Sequence, residues 1–330
     1  MEGAHTPMSQ FLTVRLGDTL LPIVDVTNPA FAISPSEDEL ATMRTQFVTE
    51  STQSQDVTPE LRAALGRSRL GRGLMAARGT FLTGLNTYLL KLGADNLPED
   101  FDPIDKRIAA SFPSITARLR LQDMARLISE GLSERLAGNR ERPLHFINIA
   151  GGPAADSWNT LIRLHRVDSA VAHREIAVSV LDLDDQGPAF GALAFEALQT
   201  GSAPLHGLRI RFHHEMYNWA ESGELRRILG PKAAEQSLCA VSSEGGLFEY
   251  GSDDEIAANL TTLHELTPPD TIVVGSACRE SELTRIHTGI GVTLRPRSRD
   301  TFRALVERTG WRVDTFIDRP FNDNVRLVKH

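Results

Sequence analysis

The segment Phe146-Ile147-Asn148-Ile149-Ala150-Gly151-Gly152-Pro153 ends an apolar run in two adjacent glycines. Glycine there permits a tight turn and a close approach of the backbone to a ligand. A second apolar run ends in Leu181-Asp182-Leu183-Asp184-Asp185. A carboxylate at the end of a second strand can accept hydrogen bonds from two ribose hydroxyls. The dinucleotide fingerprint G-x-G-x-x-G is missing, because Gly151 and Gly152 are adjacent and no third glycine follows at the required spacing.

Other residues invite chemistry with less support from their surroundings. His213, His214 and Glu215 stand together. Neighbours on a strand point to opposite faces, so the two imidazoles do not converge on one ion and no metal site is expected. His214 remains a candidate acid/base. His287, in Arg285-Ile286-His287-Thr288-Gly289, is a candidate base because an imidazole titrates near neutrality. Arg62, Arg67, Arg69, Arg72, Arg78 and Lys91 form a stretch with no acidic residue. Such a run is more often a solvated helix face than a site for an anionic partner. Cys239 and Cys278 read as small buried hydrophobes.

The elements that must position these residues change character along the chain. Residues 1–140 read as mainly helical after a short extended start, with Gly17-Asp18 as a turn. Ser36 and Glu39 make a capping box, and Thr58-Pro59 is a helix start. Residues 49–57 read as a polar loop, 81–92 as an apolar helix and 114–136 as a long helix. Beyond 144, strands are expected at 145–150, 176–183, 208–213, 238–242, 271–276, 311–316 and 325–328. Helices are expected at 157–165, 188–200, 253–266 and 301–309 between them. This alternation implies a mostly parallel sheet covered on both faces. The short link at 319–324 suits an antiparallel final pair.

The 330 residues carry a net charge of −8, with 41% hydrophobic and 24% charged residues. That is ordinary globular usage. The acidic balance argues against wholesale nucleic-acid binding. No apolar run reaches the ~18 residues of a spanning helix. Residues 1–10 lack the pattern of a signal peptide. A cytoplasmic protein is expected.

Taken together, the glycine turn, Asp182 and the order of elements resemble class I S-adenosylmethionine-dependent methyltransferases. The segment Val241-Ser242-Ser243-Glu244-Gly245-Gly246-Leu247-Phe248-Glu249-Tyr250 is similar to one in the leucine carboxyl methyltransferase and polyketide O-methyltransferase branch. That branch shows Asp-x-Pro after its second strand, where this chain has Asp182-Leu183-Asp184. The resemblance implies an α/β fold: a seven-stranded, mostly parallel, Rossmann-like sheet with an antiparallel last strand, preceded by a helical cap. Residues 1–140 would be the cap and 141–330 the cofactor domain.

It also implies roles. Gly151 and Gly152 would lie beside the methionine part of S-adenosylmethionine, and Asp182 would hold the ribose. Glu244 would face the amino group or sulfonium. Arg118 or Arg120 would bind the carboxylate, and Met216 or Tyr217 would wall the adenine. Further cofactor contacts would fall at Asn148, Ala150, Leu183, Glu215 and Ser243. The implied function is methylation of a small-molecule acceptor, foremost at oxygen. The alternatives are a non-catalytic S-adenosylmethionine-binding protein acting through protein contacts, and a nucleotide-dependent oxidoreductase. A homodimer is left open.

Overall fold

A computed structural model describes residues 11–53, 58–137, 141–230, 237–289 and 291–330. The N-terminal reading of residues 1–10 lies outside them. The chain opens with an antiparallel hairpin, β1 (Thr13–Leu16) and β2 (Thr19–Pro22). Gly17 turns it at a φ of +58°, where a side chain would be strained. The helices α1 (Glu37–Gln53), α2 (Pro59–Arg67), α3 (Arg69–Ala76), α4 (Gly84–Leu92), α5 (Pro103–Ala109) and α6 (Phe112–Leu136) follow.

Then come β3 (Leu144–Ile149), α7 (Ala155–Val167), β4 (Glu175–Asp182), α8 (Gln186–Gln199), β5 (Arg209–Met216) and α9 (Ser222–Leu229). After them run β6 (Leu238–Ser243), α10 (Leu247–Tyr250), α11 (Asp253–Leu266), β7 (Ile272–Cys278) and α12 (Glu282–Gly289). The chain closes with α13 (Arg299–Glu307), β8 (Trp311–Asp318) and β9 (Asn322–Lys329).

The large sheet has the order β5-β4-β3-β6-β7-β9-β8. Its first five strands are parallel, and β9 runs antiparallel to both neighbours. The expected seven-stranded α/β fold is therefore present. Beside β3 the chain turns from one side of the sheet to the other. At such a switch point loops part beyond the strand ends and leave a crevice for a ligand.

Alternation along β3 sends Phe146 to one face and Ile147 to the other. Phe146 joins a core with Met124, Leu127 and Ile128 of α6 and Trp158 of α7. Ile147 joins one with Leu225, Leu260, Phe302 and Trp311. The first core also takes in Val14, Leu21 and Val24, so the N-terminal elements share the sheet's interior. Polar bonds fix them there. Tyr88 Oη donates to the Pro22 carbonyl at 2.6 Å and accepts from Val24 N–H at 2.8 Å. Trp158 Nε1 donates to the Val24 carbonyl at 2.8 Å.

The structure moves some boundaries. The polar stretch expected as a loop from 49 is helical to Gln53, and 54–57 lie outside the described residues. Thr45, Thr49 and Thr52 donate their hydroxyls to carbonyls one turn back. Phe47 and Val48 anchor the helix on Phe112, Leu283 and Phe321. The helix expected from 81 starts at Gly84, where the Thr83 hydroxyl accepts from Asn86 N–H. The edge strand β5 continues three residues beyond 213, paired through to Met216. Among the described residues, no helix is long and apolar enough to cross a membrane.

Candidate functional site

The turn after β3 is a constrained one. Ala150, Gly152 and Ala154 have φ of +54°, +49° and +60°. Alanine in that region costs of order 1 kcal/mol or more, so surrounding contacts must impose the turn. Several do. A Cβ on Gly151 would stand 2.3 Å from Asn148 Cβ, and one on Gly84 would stand 2.5 Å from Gly152 Cα. The start of α4 therefore lies directly on the glycine turn.

Asp182, at the end of β4, ties the turn from the other side. Its Oδ2 accepts from Gly152 N–H at 2.8 Å, and its Oδ1 accepts from Asp184 N–H at 2.9 Å. Burial raises its pKa above the usual carboxylate range, against the pull of those two donors. Asn148 acts inside the fold. Its amide donates to Ser242 Oγ and to the Asp156 carboxylate, and its oxygen accepts from Ser157 Oγ. Burial, with Glu244 adding to it, pushes Asp156 up to about 6.

A cavity opens beyond the strand ends. Ala150, Gly151, Gly152, Asp182, Leu183, Tyr217 and Glu244 line it, so these candidates are brought together. At its inner end lies a network of four buried charges. Lys91 Nζ stands 2.8 Å from the Glu244 carboxylate. Arg120 Nε donates to Glu244 at 3.3 Å, and its Nη1 donates to Glu249 at 3.0 Å. Burial drives the Lys91 ammonium below its ordinary range, although Glu244 opposes it. Burial also works against the charge of Arg120, but Glu249 and Glu244 outweigh it and hold the guanidinium charged.

Other candidates stand apart from this cavity. Arg118 turns to the N-terminal loop, donating to the Phe31 carbonyl at 3.0 Å. His213 Nε2 meets Glu215 Oε1 at 2.9 Å on one face of β5. On the other face, His214 Nε2 lies 3.1 Å from the Asp182 carbonyl. Neither His214 nor Glu215 lines the cavity, and Met216 is exposed outside it. Ser243 Oγ accepts from Leu247 N–H at 2.9 Å and caps the turn after β6.

His287 lines a second cavity. Its ring stacks on Phe321 at 4.5 Å and meets Phe47 edge-on. Burial lowers its pKa to about 4. At neutral pH it is an uncharged ring that can accept a hydrogen bond but is a weak base, because a useful base has a pKa near the working pH.

Sequence reasoning missed Lys91, Glu249 and Tyr250. Lys91 was grouped with a basic run whose Arg62, Arg67, Arg72 and Arg78 are indeed exposed. Its place inside the apolar string Tyr88-Leu89-Leu90-Lys91-Leu92 was the available signal, since a lone charge on a buried face needs a partner.

No family model and no curated protein matches the chain. Among solved structures, it is similar to a possible exported protein from Bordetella parapertussis. The TM-score is 0.56 and the identity 16%, covering 90% of this chain and 99% of that one. A magnesium protoporphyrin IX methyltransferase from Synechocystis, with S-adenosylhomocysteine bound, gives a TM-score of 0.45 at 13% identity, covering 67% and 89%. A mitomycin 7-O-methyltransferase gives 0.43 at 15% identity, covering 90% and 74%. The strand order and the single reversed strand decide the architecture. The sheet is the one expected from the resemblance to the class I methyltransferases.

Proposed function

We propose that the chain binds S-adenosylmethionine in the first cavity and methylates a small molecule, foremost at oxygen. The observation that carries this reading is the convergence, at the switch point, of the glycine turn, Asp182 and the Lys91–Glu244 pair on one cavity. The residues fit such a ligand. Asp182 keeps an acceptor lone pair on each oxygen after its two backbone bonds, which suits a pair of ribose hydroxyls. Lys91 and Glu244 oppose each other as the carboxylate and ammonium of an amino acid do. Lys91, rather than Arg118, is the cation facing the cavity.

When bound, the cofactor would supply a methyl on a cationic sulfur, leaving a neutral thioether, and the proton of the acceptor hydroxyl would pass to solvent. The chain's part is positioning. The carbon is already activated, so holding the two reactants in line accounts for most of the acceleration. Phe81, Leu82, Trp219 and Tyr250 give the cavity an apolar side.

The test uses S-adenosylmethionine labelled in its methyl group, incubated with the protein and a small-molecule extract. Label in an organic-soluble product supports the reading. Binding without transfer to any component would favour the non-catalytic alternative.

A further inference from the structure

A second cavity, of about 260 Å³, adjoins the first and shares Leu82, Thr87, Gly245 and Tyr250 with it. Its walls are mostly apolar: Phe47, Leu74, Leu90, Ile108, Leu294 and Phe321. The charged side chains in its lining are Arg120 and Glu249, and they are bonded to each other. Arg120 also holds Glu244, which holds Lys91, so the four charges cancel. Glu249 accepts in addition from Ser276 Oγ at 2.6 Å.

An anionic ligand could take Arg120 only by breaking these bonds and leaving a buried carboxylate unpaired. A cation would face the same difficulty at Glu249. Breaking a buried pair costs far more than an exposed one. Some of the neutral polar groups are occupied, while the uncharged His287 ring can still accept. Ser114 Oγ donates to the Ile108 carbonyl and Thr116 Oγ1 to the Pro113 carbonyl. Asn322 spends its amide on Asn324 and Glu249. Tyr250 lines both cavities, and its hydroxyl makes no hydrogen bond among the described residues. Burial raises its pKa, so it keeps its proton and can donate.

We infer that the second cavity receives an uncharged, largely apolar molecule, oriented by a hydrogen bond from the Tyr250 hydroxyl. Carboxylates and protonated amines are excluded by the self-neutralised Arg120–Glu249 pair. Naming this molecule the methyl acceptor rests on the proposed methyltransferase function, but its chemistry does not. The inference selects a neutral hydroxyl compound over the carboxyl acceptor that the sequence resemblance allowed.

The experiment titrates the full chain with two fluorescent probes that share one frame. N-phenyl-1-naphthylamine is uncharged, and 1-anilinonaphthalene-8-sulfonate carries a sulfonate. The uncharged probe should bind at least tenfold tighter. Leu74→Trp, at a half-exposed position on the cavity wall, should weaken that probe at least tenfold. Tyr250→Phe should weaken competition by 1-naphthol severalfold and leave the probe itself unaffected. Equal or tighter binding of the sulfonate overturns the inference, and so does an uncharged probe indifferent to Leu74→Trp. S-adenosylhomocysteine binding is measured on the same samples. Its loss alone would count against the methyltransferase reading and leave the cavity's selectivity standing.

Discussion

Asp182 does two jobs with one carboxylate. It holds the glycine turn through Gly152 N–H and its own loop through Asp184 N–H, and it faces the cavity with what remains. Asp182→Ala should weaken S-adenosylhomocysteine at least tenfold by calorimetry, and Asp182→Asn should weaken it less. Asp156 offers a pH test. Its folded pKa is raised to about 6. The stability it contributes is therefore complete below its unfolded value near ~4 and is lost as the pH rises through about 6. Asp156→Asn cannot ionise. The variant should gain on the wild type by up to about 3 kcal/mol between pH 4 and pH 7 in denaturant titrations. A gap that stays constant with pH would refute the assignment. Asp182 and the two glycines were legible because type and position along a strand define their roles. Lys91 was not, because its burial depends on Glu244, 153 residues away in sequence.

Among the elements, α4 packs closely on the glycine turn. Gly84→Ala would press a Cβ against Gly152 Cα, a backbone atom that cannot rotate away, so one segment must shift. The variant should melt lower and bind S-adenosylhomocysteine more weakly. Gly66, in α2, is a matched control with open space where its Cβ would lie. Gly66→Ala should raise stability by about 0.5–1 kcal/mol, through helix propensity alone, and leave binding unchanged. Equal effects from the two variants would contradict the close packing of α4 on the turn. Strands β3, β4, β6 and β7 were readable because buried parallel strands are continuous apolar runs. The end of α1 was not, because Thr49–Gln53 is polar and its anchors, Phe112, Leu283 and Phe321, come from elsewhere in the chain.

At the scale of the whole molecule, the boundary near residue 140 divides the sequence more sharply than it divides the interior. Met124, Leu127 and Ile128 of α6 share one core with Ile272 and Val274 of β7. We expect the full chain to unfold in a single cooperative transition by calorimetry. A fragment of residues 141–330 should lack a cooperative melt, because the sheet face under α6 would be bare. Two separate transitions would show that the cap is a unit of its own. The net charge of −8 is a sum over the chain and hides a buried network in which two cations meet two carboxylates. That network joins the cavity proposed for the cofactor to the one proposed for the acceptor.

The most direct measurement is calorimetric titration of the intact chain with S-adenosylhomocysteine, with NAD as the comparison. The account predicts one site per chain for the sulfur nucleotide, weakened at least tenfold in Asp182→Ala, and no saturable binding of NAD. Absence of binding by the sulfur nucleotide, or an affinity unchanged in Asp182→Ala, would contradict it.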